Sequence, residues 1–172
     1  ATTADLSYFN NQYYWPLGPF PAIILMPLVS IFQIAFHQSF IQFPLNLLNI
    51  DLIYKIGKLL TLTEKRAIIL SAFFIFGSVY TPTSLFPFSW YFAHVIATTL
   101  LLLSIYIHLT TKRTAIIGLL LGLACLTRLS LVFAVPFFAF SILKKPQKLK
   151  NLTLLLLPVF FFLLINSFYI IY

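Results

Sequence analysis

The sequence predicts an all-α integral membrane protein, a polytopic helical bundle with a juxtamembrane interfacial helix in its first external loop. Of the 172 residues, 61% are hydrophobic and 8% are charged, whereas a typical globular domain carries about 25% charged residues. The few charges also lie in short clusters between long apolar runs, as in multi-pass membrane proteins. This composition excludes an ordinary soluble domain and a disordered chain.

The positions of the basic residues predict the topology. Ten of the 11 form three groups. The groups are Lys55, Lys58, Lys65 and Arg66, then Lys112 and Arg113, then Lys144, Lys145, Lys148 and Lys150. By the positive-inside rule we expect all three groups on the cytoplasmic side, so an even number of crossings separates each group from the next. Because no basic stripe on a soluble face is evident, the +8 net charge does not indicate nucleic-acid binding.

The chain reads as one transmembrane domain over residues 1–172, with 1–38 as an external loop and 39–172 as membrane helices. No Lys or Arg occurs in the first 54 residues, which fits an external start. The apolar stretch 21–36 is short and proline-containing, so we expect it to lie in the outer interface. Residues 39–58 then form a span that runs inward.

The second and third basic groups each follow a pair of predicted helices. The 45 residues between Arg66 and Lys112 suffice for two spans of about 20 residues. We expect the first over 67–83, an external turn at 85–88, and the return over 90–109. Trp90 would lie at the outer interface, where aromatic belts form.

The 30 residues between Arg113 and Lys144 allow two arrangements. One continuous helix would be about 45 Å long at 1.5 Å per residue, which exceeds a hydrocarbon core of about 30 Å. It would also place the third basic group outside. Two short helices over 114–126 and 129–143 avoid both problems, although a single tilted helix stays open. A last outward span is expected over 152–172, where the chain reads as a fragment of a longer protein.

Arg128 is the basic residue outside the three groups, and the hairpin arrangement puts it at the external side. It follows Gly118-Leu-Leu-Leu-Gly122-Leu-Ala-Cys-Leu-Thr127, in which two glycines four residues apart permit close helix packing. A guanidinium in this position can bind a phosphate or carboxylate with two hydrogen bonds. The alternative is an arginine whose side chain reaches the lipid headgroups.

Other candidates carry less specific patterns. Asp51 is expected to pair with Lys55 one helical turn away. Asp5 is an acid in the external segment, where it can contact substrate or simply cap a helix. His94, at the outer end of a span, suits either an acid–base role or packing. The histidines and the single Cys125 lack metal-ligand spacing, so no metal site is predicted, and no glycine-rich phosphate loop is present.

Two stretches carry a resemblance to a known family. Tyr14-Trp-Pro-Leu-Gly18-Pro-Phe-Pro21-Ala, followed by an apolar run, resembles the first external loop of polytopic GT-C type glycosyltransferases. The glycine-containing helix that ends in Leu-Thr127-Arg128, with Pro136 after it, resembles a helix pair of the same family. These are the protein mannosyltransferase and lipid A aminoarabinose transferase relatives (glycosyltransferase family 39-like), and the chain corresponds to an N-terminal half.

The resemblance implies transfer of a sugar from a polyprenyl-phosphate donor to an extracytoplasmic acceptor, in a bacterial plasma membrane. Asp5 would be the catalytic acid residue of the family's first external loop. Arg128 would hold the lipid phosphate, with His94 and Tyr14 lining the same cavity. Membrane lipid and the lipid-linked sugar are the implied partners; no cofactor is specified, and the sequence leaves a divalent metal open. A transporter or flippase and a non-catalytic membrane scaffold are the alternatives.

Overall fold

The computed structural model describes residues 7–9, 11–14, 17–111, 113–143 and 147–171. Two three-residue strands, β1 and β2, form an antiparallel hairpin in which Tyr8 is opposite Tyr13. Everything after it that forms regular structure is helical. The elements are β1 (Ser7–Phe9), β2 (Gln12–Tyr14), α1 (Phe20–Phe32), α2 (Ser39–Leu59), α3 (Glu64–Phe76), α4 (Tyr80–Leu85), α5 (Ser89–Leu109), α6 (Thr114–Thr127), α7 (Val135–Leu143) and α8 (Lys148–Ile171). The helical fold class is thus confirmed, and the hairpin was not predicted.

The long helices pack so that the basic groups share one end of the bundle. Ile41 near the start of α2 packs against a cluster that includes Phe92 and Ile96 near the start of α5. Ile56 near the end of α2 clusters with Leu102, further along α5, so these two helices run in the same direction. Gly118 of α6 contacts α8 at Leu155, and Gly122 contacts it one turn further on, at Pro158, so α6 and α8 also run in parallel. The ends of α2 and α5 and the starts of α3, α6 and α8 therefore lie at the same end, as the sequence predicted. Lys112, Lys144 and Lys145, which belong to the predicted basic groups, lie outside the described residues.

Helices α6 and α7 form the predicted hairpin. The Ser141 hydroxyl near the end of α7 is 2.9 Å from Nε2 of His108, one residue before the end of α5. Because α6 starts beside the end of α5, the chain must reverse direction between α6 and α7. The single long helix is thereby excluded. The predicted second helix over 129–143 is wrong in one detail: Leu129–Ala134 forms a 3-10 helix, and the α-helix begins at Val135. Pro136 lacks a backbone N–H, but N–H groups in the first turn of a helix have no intrahelical partner, so proline is tolerated there.

The two glycines of α6 allow α8 to approach closely. A Cβ on Gly118 would lie 2.6 Å from the Leu155 carbonyl oxygen and 2.7 Å from that of Leu154. Pro158 lies four residues after Leu154 and has no N–H, so that carbonyl has no intrahelical partner. The backbone of α6 thus packs where α8 has an open carbonyl, a position that suits weak Cα–H···O contacts.

The predicted span over 67–83 is interrupted. Helix α3 ends at Phe76 and a separate short helix, α4, starts at Tyr80. The Ser78 hydroxyl donates to the Phe74 carbonyl at 2.6 Å and accepts from the Tyr80 N–H at 3.1 Å. The Ser78 side chain thus bonds backbone groups that would otherwise form helical hydrogen bonds. With Gly77 before it, this ends the helix.

Among the described residues, Ser89–Leu109 and Lys148–Tyr169 are the two helices long and apolar enough to cross a membrane. They support association with a membrane, whereas the sequence predicted about six crossing or half-crossing segments. Helix α2 has 21 residues but carries several amide side chains that lower its hydropathy. Of the most apolar 18-residue stretch of each helix, 50% is buried in α5 and 17% in α8. Helix α5 is therefore central, and α8 lies at the edge of the bundle.

Candidate functional site

Arg128 lies where α6 ends, opposite the basic end of the bundle. Its backbone is extended (φ −143°, ψ 111°), while its N–H still donates to the Ala124 carbonyl at 2.8 Å. Its own carbonyl accepts from Leu131 at 3.0 Å, which starts the 3-10 turn. The side chain is therefore attached to a chain reversal fixed on both sides by backbone hydrogen bonds.

The guanidinium of Arg128 rests on Trp90, in the first turn of α5. Its Cζ is 5.3 Å from the centroid of the indole ring, within the range of a cation–π interaction. Nη2 donates to the Trp90 carbonyl at 3.1 Å. The Nε of Arg128 is buried and meets no acceptor among the described residues. A buried donor of this kind costs about 1–3 kcal/mol when unmatched.

His94 shares this end of the bundle with Arg128. It lies one helical turn after Trp90 on α5, is exposed, and lies within electrostatic range of the Arg128 charge. His94 and Arg128, two of the predicted site residues, thus lie at the same end of the bundle. Tyr14 forms part of β2 and pairs through its backbone with Ser7, and its side chain is outside the described part of the chain. Asp5 also lies outside the described residues.

The segment before α1 covers the end of α6 beside Arg128. Leu17 is buried, and Gly18 packs directly on the carbonyl of Leu126. A cavity of about 240 Å³ lies next to this contact. Gln38, Ser89 and Tyr169 are the lining residues with polar side-chain groups, and the rest of its described wall is Leu17, Gly18, Pro19, Pro21, Ala22, Leu25 and Phe92.

A row of amide side chains on α2 was not predicted. Nε2 of Gln42 donates to the Ser84 carbonyl at 2.8 Å and to that of Phe86 at 3.2 Å. Nδ2 of Asn46 reaches the same Ser84 carbonyl at 3.0 Å. The row thus satisfies carbonyls at the C-terminal end of α4, which no further helical turn can reach.

The amide row continues through a tyrosine. Tyr80 donates its hydroxyl proton to Oδ1 of Asn46 at 2.7 Å and accepts from Nδ2 of Asn49 at 2.7 Å. Asn49 is fully buried. We call Gln42, Asn46, Asn49 and Tyr80 the amide ladder. The signal in the sequence is the helical spacing of three amides among the apolar residues of the first half of α2, which indicates a polar face that needs a partner.

The remaining polar predictions have structural partners. Asp51 and Lys55 form the expected ion pair, with Oδ2 and Nζ 2.7 Å apart. His108 packs its ring edge-on against Phe138 and bonds Ser141. No group of three His, Cys, Asp or Glu that could hold a metal ion occurs within the described ranges. Cys125 is buried with a free thiol.

No family model, curated protein or solved structure matches the chain. The fold and the site define the protein only as a helical bundle with two apolar helices of membrane-spanning length. Basic residues lie at one end of the bundle, and an arginine that stacks on a tryptophan lies at the other.

Proposed function

We propose that the chain belongs to a multi-pass membrane glycosyltransferase, which transfers a sugar from a polyprenyl-phosphate donor to an acceptor on the extracytoplasmic side. The main support for this proposal is the Arg128 guanidinium, which stacks on Trp90. Its Nε is a buried donor without an acceptor among the described residues. An anionic headgroup supplies the oxygen that this donor lacks.

The bundle supports a membrane setting. Helices α5 and α8 meet the length and composition of spans; α2 and the paired shorter helices α3–α4 and α6–α7 are proposed to complete the domain. The basic connections would face the cytoplasm, which places Arg128 at the opposite side. Helix α1 exposes large apolar side chains at Ile23, Met26 and Phe32, as expected for a helix lying in the outer interface of a bacterial plasma membrane.

The chemistry needs a stabilised phosphate and an activated acceptor. The bond between the sugar C1 and the phosphate oxygen breaks, and the phosphate leaves with the electron pair. Arg128 would balance this charge, an electrostatic contribution of the oxyanion-hole type. The acceptor oxygen forms the new bond to C1, and its proton passes to a carboxylate acting as general base. Asp5 is proposed for that role on the resemblance of the first segment, and His94 and Tyr14 are proposed to contact the substrate.

A transfer assay tests this function. The full-length protein in proteoliposomes, given polyprenyl-phosphate-linked radiolabelled sugar and membrane extract as acceptor, should release polyprenyl phosphate and label an acceptor. We expect Arg128→Ala to lower kcat by about a hundredfold or more. Arg113→Ala removes an exposed arginine at the other end and should leave turnover unchanged. Normal turnover and normal donor affinity in Arg128→Ala would remove Arg128 from the mechanism.

A further inference from the structure

Trp90 contacts the arginine of the proposed site through two different groups. Its indole ring lies under the guanidinium, and its backbone carbonyl accepts from Nη2. We propose that Trp90 is the positioning residue of the anion site: it holds Arg128 in the orientation that meets a lipid-linked phosphate, and it senses when that phosphate is bound. This inference rests on the proposed function and names the residue through which Arg128 acts.

The two contacts restrain different motions. A single hydrogen bond from Nη2 leaves the plane of the guanidinium free to rotate about the bond. The ring beneath it restricts that plane, because a cation is attracted to the ring face rather than to its edge. A free arginine side chain would lose its rotamer freedom on binding an anion, and that loss weakens affinity. Arg128 has given up this freedom before the ligand arrives.

The orientation leaves Nε of Arg128 for the ligand. Nη2 is engaged by the Trp90 carbonyl, whereas Nε is buried with no acceptor in the described part of the chain. A phosphate oxygen is a suitable acceptor because charge-assisted bonds from arginine to phosphate are short and directional. A lysine at position 128 would keep the charge but lack the planar group that stacks on the ring.

Trp90 is also a built-in reporter of the site. The chain contains two tryptophans, so Trp15→Phe leaves Trp90 as the single indole. The guanidinium carbon of Arg128 is 5.3 Å from the centre of the Trp90 ring, so we expect the Trp90 emission to respond to the guanidinium charge. Neutralising that charge with an anion should shift the emission.

The first experiment uses this fluorescence. The Trp15→Phe chain in lipid nanodiscs is titrated with polyprenyl monophosphate and, separately, with uncharged polyprenol. We expect a saturable emission shift with the phosphate and none with the alcohol. Adding Arg128→Ala should abolish the shift. A shift that persists in Arg128→Ala would overturn the coupling between the two residues.

The second experiment measures affinity for radiolabelled polyprenyl monophosphate without using fluorescence. Trp90→Phe keeps an aromatic face and the backbone carbonyl, so affinity should fall by at most about threefold; Trp90→Leu loses the ring and should weaken binding about tenfold. Tyr91→Leu is the matched control, because Tyr91 packs on Phe86 and Phe88. Rescue by phenylalanine separates positioning from a general packing effect.

The outcomes distinguish this inference from the proposed function. Equal binding by the wild-type, Trp90→Phe and Trp90→Leu chains would overturn the role of Trp90 while leaving a lipid-phosphate site in place. Absence of any polyprenyl phosphate binding by the folded wild-type chain would overturn both. Arg128→Lys gives a further check that does not change Trp90: it should bind weakly and show no emission shift.

Discussion

Gly18 lies against the last turn of α6, so closely that a Cβ on it would be 1.8 Å from the carbonyl oxygen of Leu126. The carbonyl carbon of Leu126 would be 2.7 Å away and the Thr127 oxygen 3.2 Å away. All three atoms belong to backbone, so no side-chain rotation relieves the contact. The first segment of the chain is thus fastened two residues before Arg128, and this contact needs glycine.

Gly18→Ala should therefore detach the covering segment from the end of α6. We expect a loss of stability of about 1–3 kcal/mol, the usual cost of inserting a methyl group into a packed site, and weaker polyprenyl phosphate binding at Arg128. Thermal unfolding in detergent measures the first effect. Gly57→Ala is the control, since its nearest neighbour would be the Ala67 Cβ at 3.3 Å. Equal effects of the two substitutions would show that the contact between Gly18 and the end of α6 does not hold the first segment in place.

The α6–α8 interface predicts different results for its two glycines. Alanine favours a helix over glycine by up to about 1 kcal/mol, but Gly118→Ala meets backbone carbonyls at 2.6 and 2.7 Å. The clash should dominate and destabilise the protein by about 1–3 kcal/mol.

The matched comparison is Gly122→Ala, whose nearest atom is a ring carbon of Phe162 at 2.5 Å, with the Pro158 carbonyl oxygen at 3.0 Å. Because the ring can move and the backbone contact is longer than at Gly118, we expect a smaller loss of stability than for Gly118→Ala. Chemical denaturation of both variants gives the comparison. If Gly122→Ala destabilised the protein more than Gly118→Ala, the backbone contact at Gly118 would not be what limits side-chain size at the α6–α8 interface.

The amide ladder predicts a coupled pair of substitutions. Tyr80→Phe removes the hydroxyl that accepts from Asn49, leaving a buried amide donor unmatched, and should cost about 1–3 kcal/mol. Asn49→Leu alone should also destabilise, because the Tyr80 hydroxyl then loses its donor. The double variant replaces both partners by apolar groups, so its loss should be smaller than the sum of the single losses. A double-mutant cycle on unfolding free energies measures this coupling, and strict additivity would show that Tyr80 and Asn49 do not stabilise each other.

The proposed topology predicts which positions are accessible from each side. In a Cys125→Ala background, single cysteines replace Ser130, near the chain reversal, and Lys148, at the start of α8. A membrane-impermeant maleimide added to right-side-out vesicles should label position 130, and position 148 only after permeabilisation. Lys58→Cys, at the end of α2, should behave like position 148. Labelling of position 148 from outside would reverse the assignment of the basic end.

Much of the fold was predictable because charge placement restricts it strongly. The three basic groups predicted which helix ends lie together. The segment between Arg113 and Lys144 is too long for one span, and this length predicted the α6–α7 hairpin. The Asp51–Lys55 pair was predictable because its spacing is one helical turn. These features depend on local spacing or on length, both of which the sequence states directly.

What was missed depends on contacts between distant residues. Trp90 was expected as an interfacial aromatic, and nothing local indicates that it would support Arg128, 38 residues later. The break after α3 depends on Ser78, a residue that is also common inside helices. The amide ladder could be predicted only if the end of α4 were known to lie beside Asn46. That position depends on the break between α3 and α4, which was itself not predicted.

The amide ladder also restricts how the chain could be made. In the proposed membrane setting, an isolated α2 would expose Gln42, Asn46 and Asn49 to hydrocarbon, where unmatched polar groups are costly. Their partners, Tyr80 and the carbonyls at the end of α4, are synthesised 31 to 44 residues later. In that setting we expect α2 to stay beside the insertion machinery until α3 and α4 emerge, so that the three helices enter the bilayer as one unit.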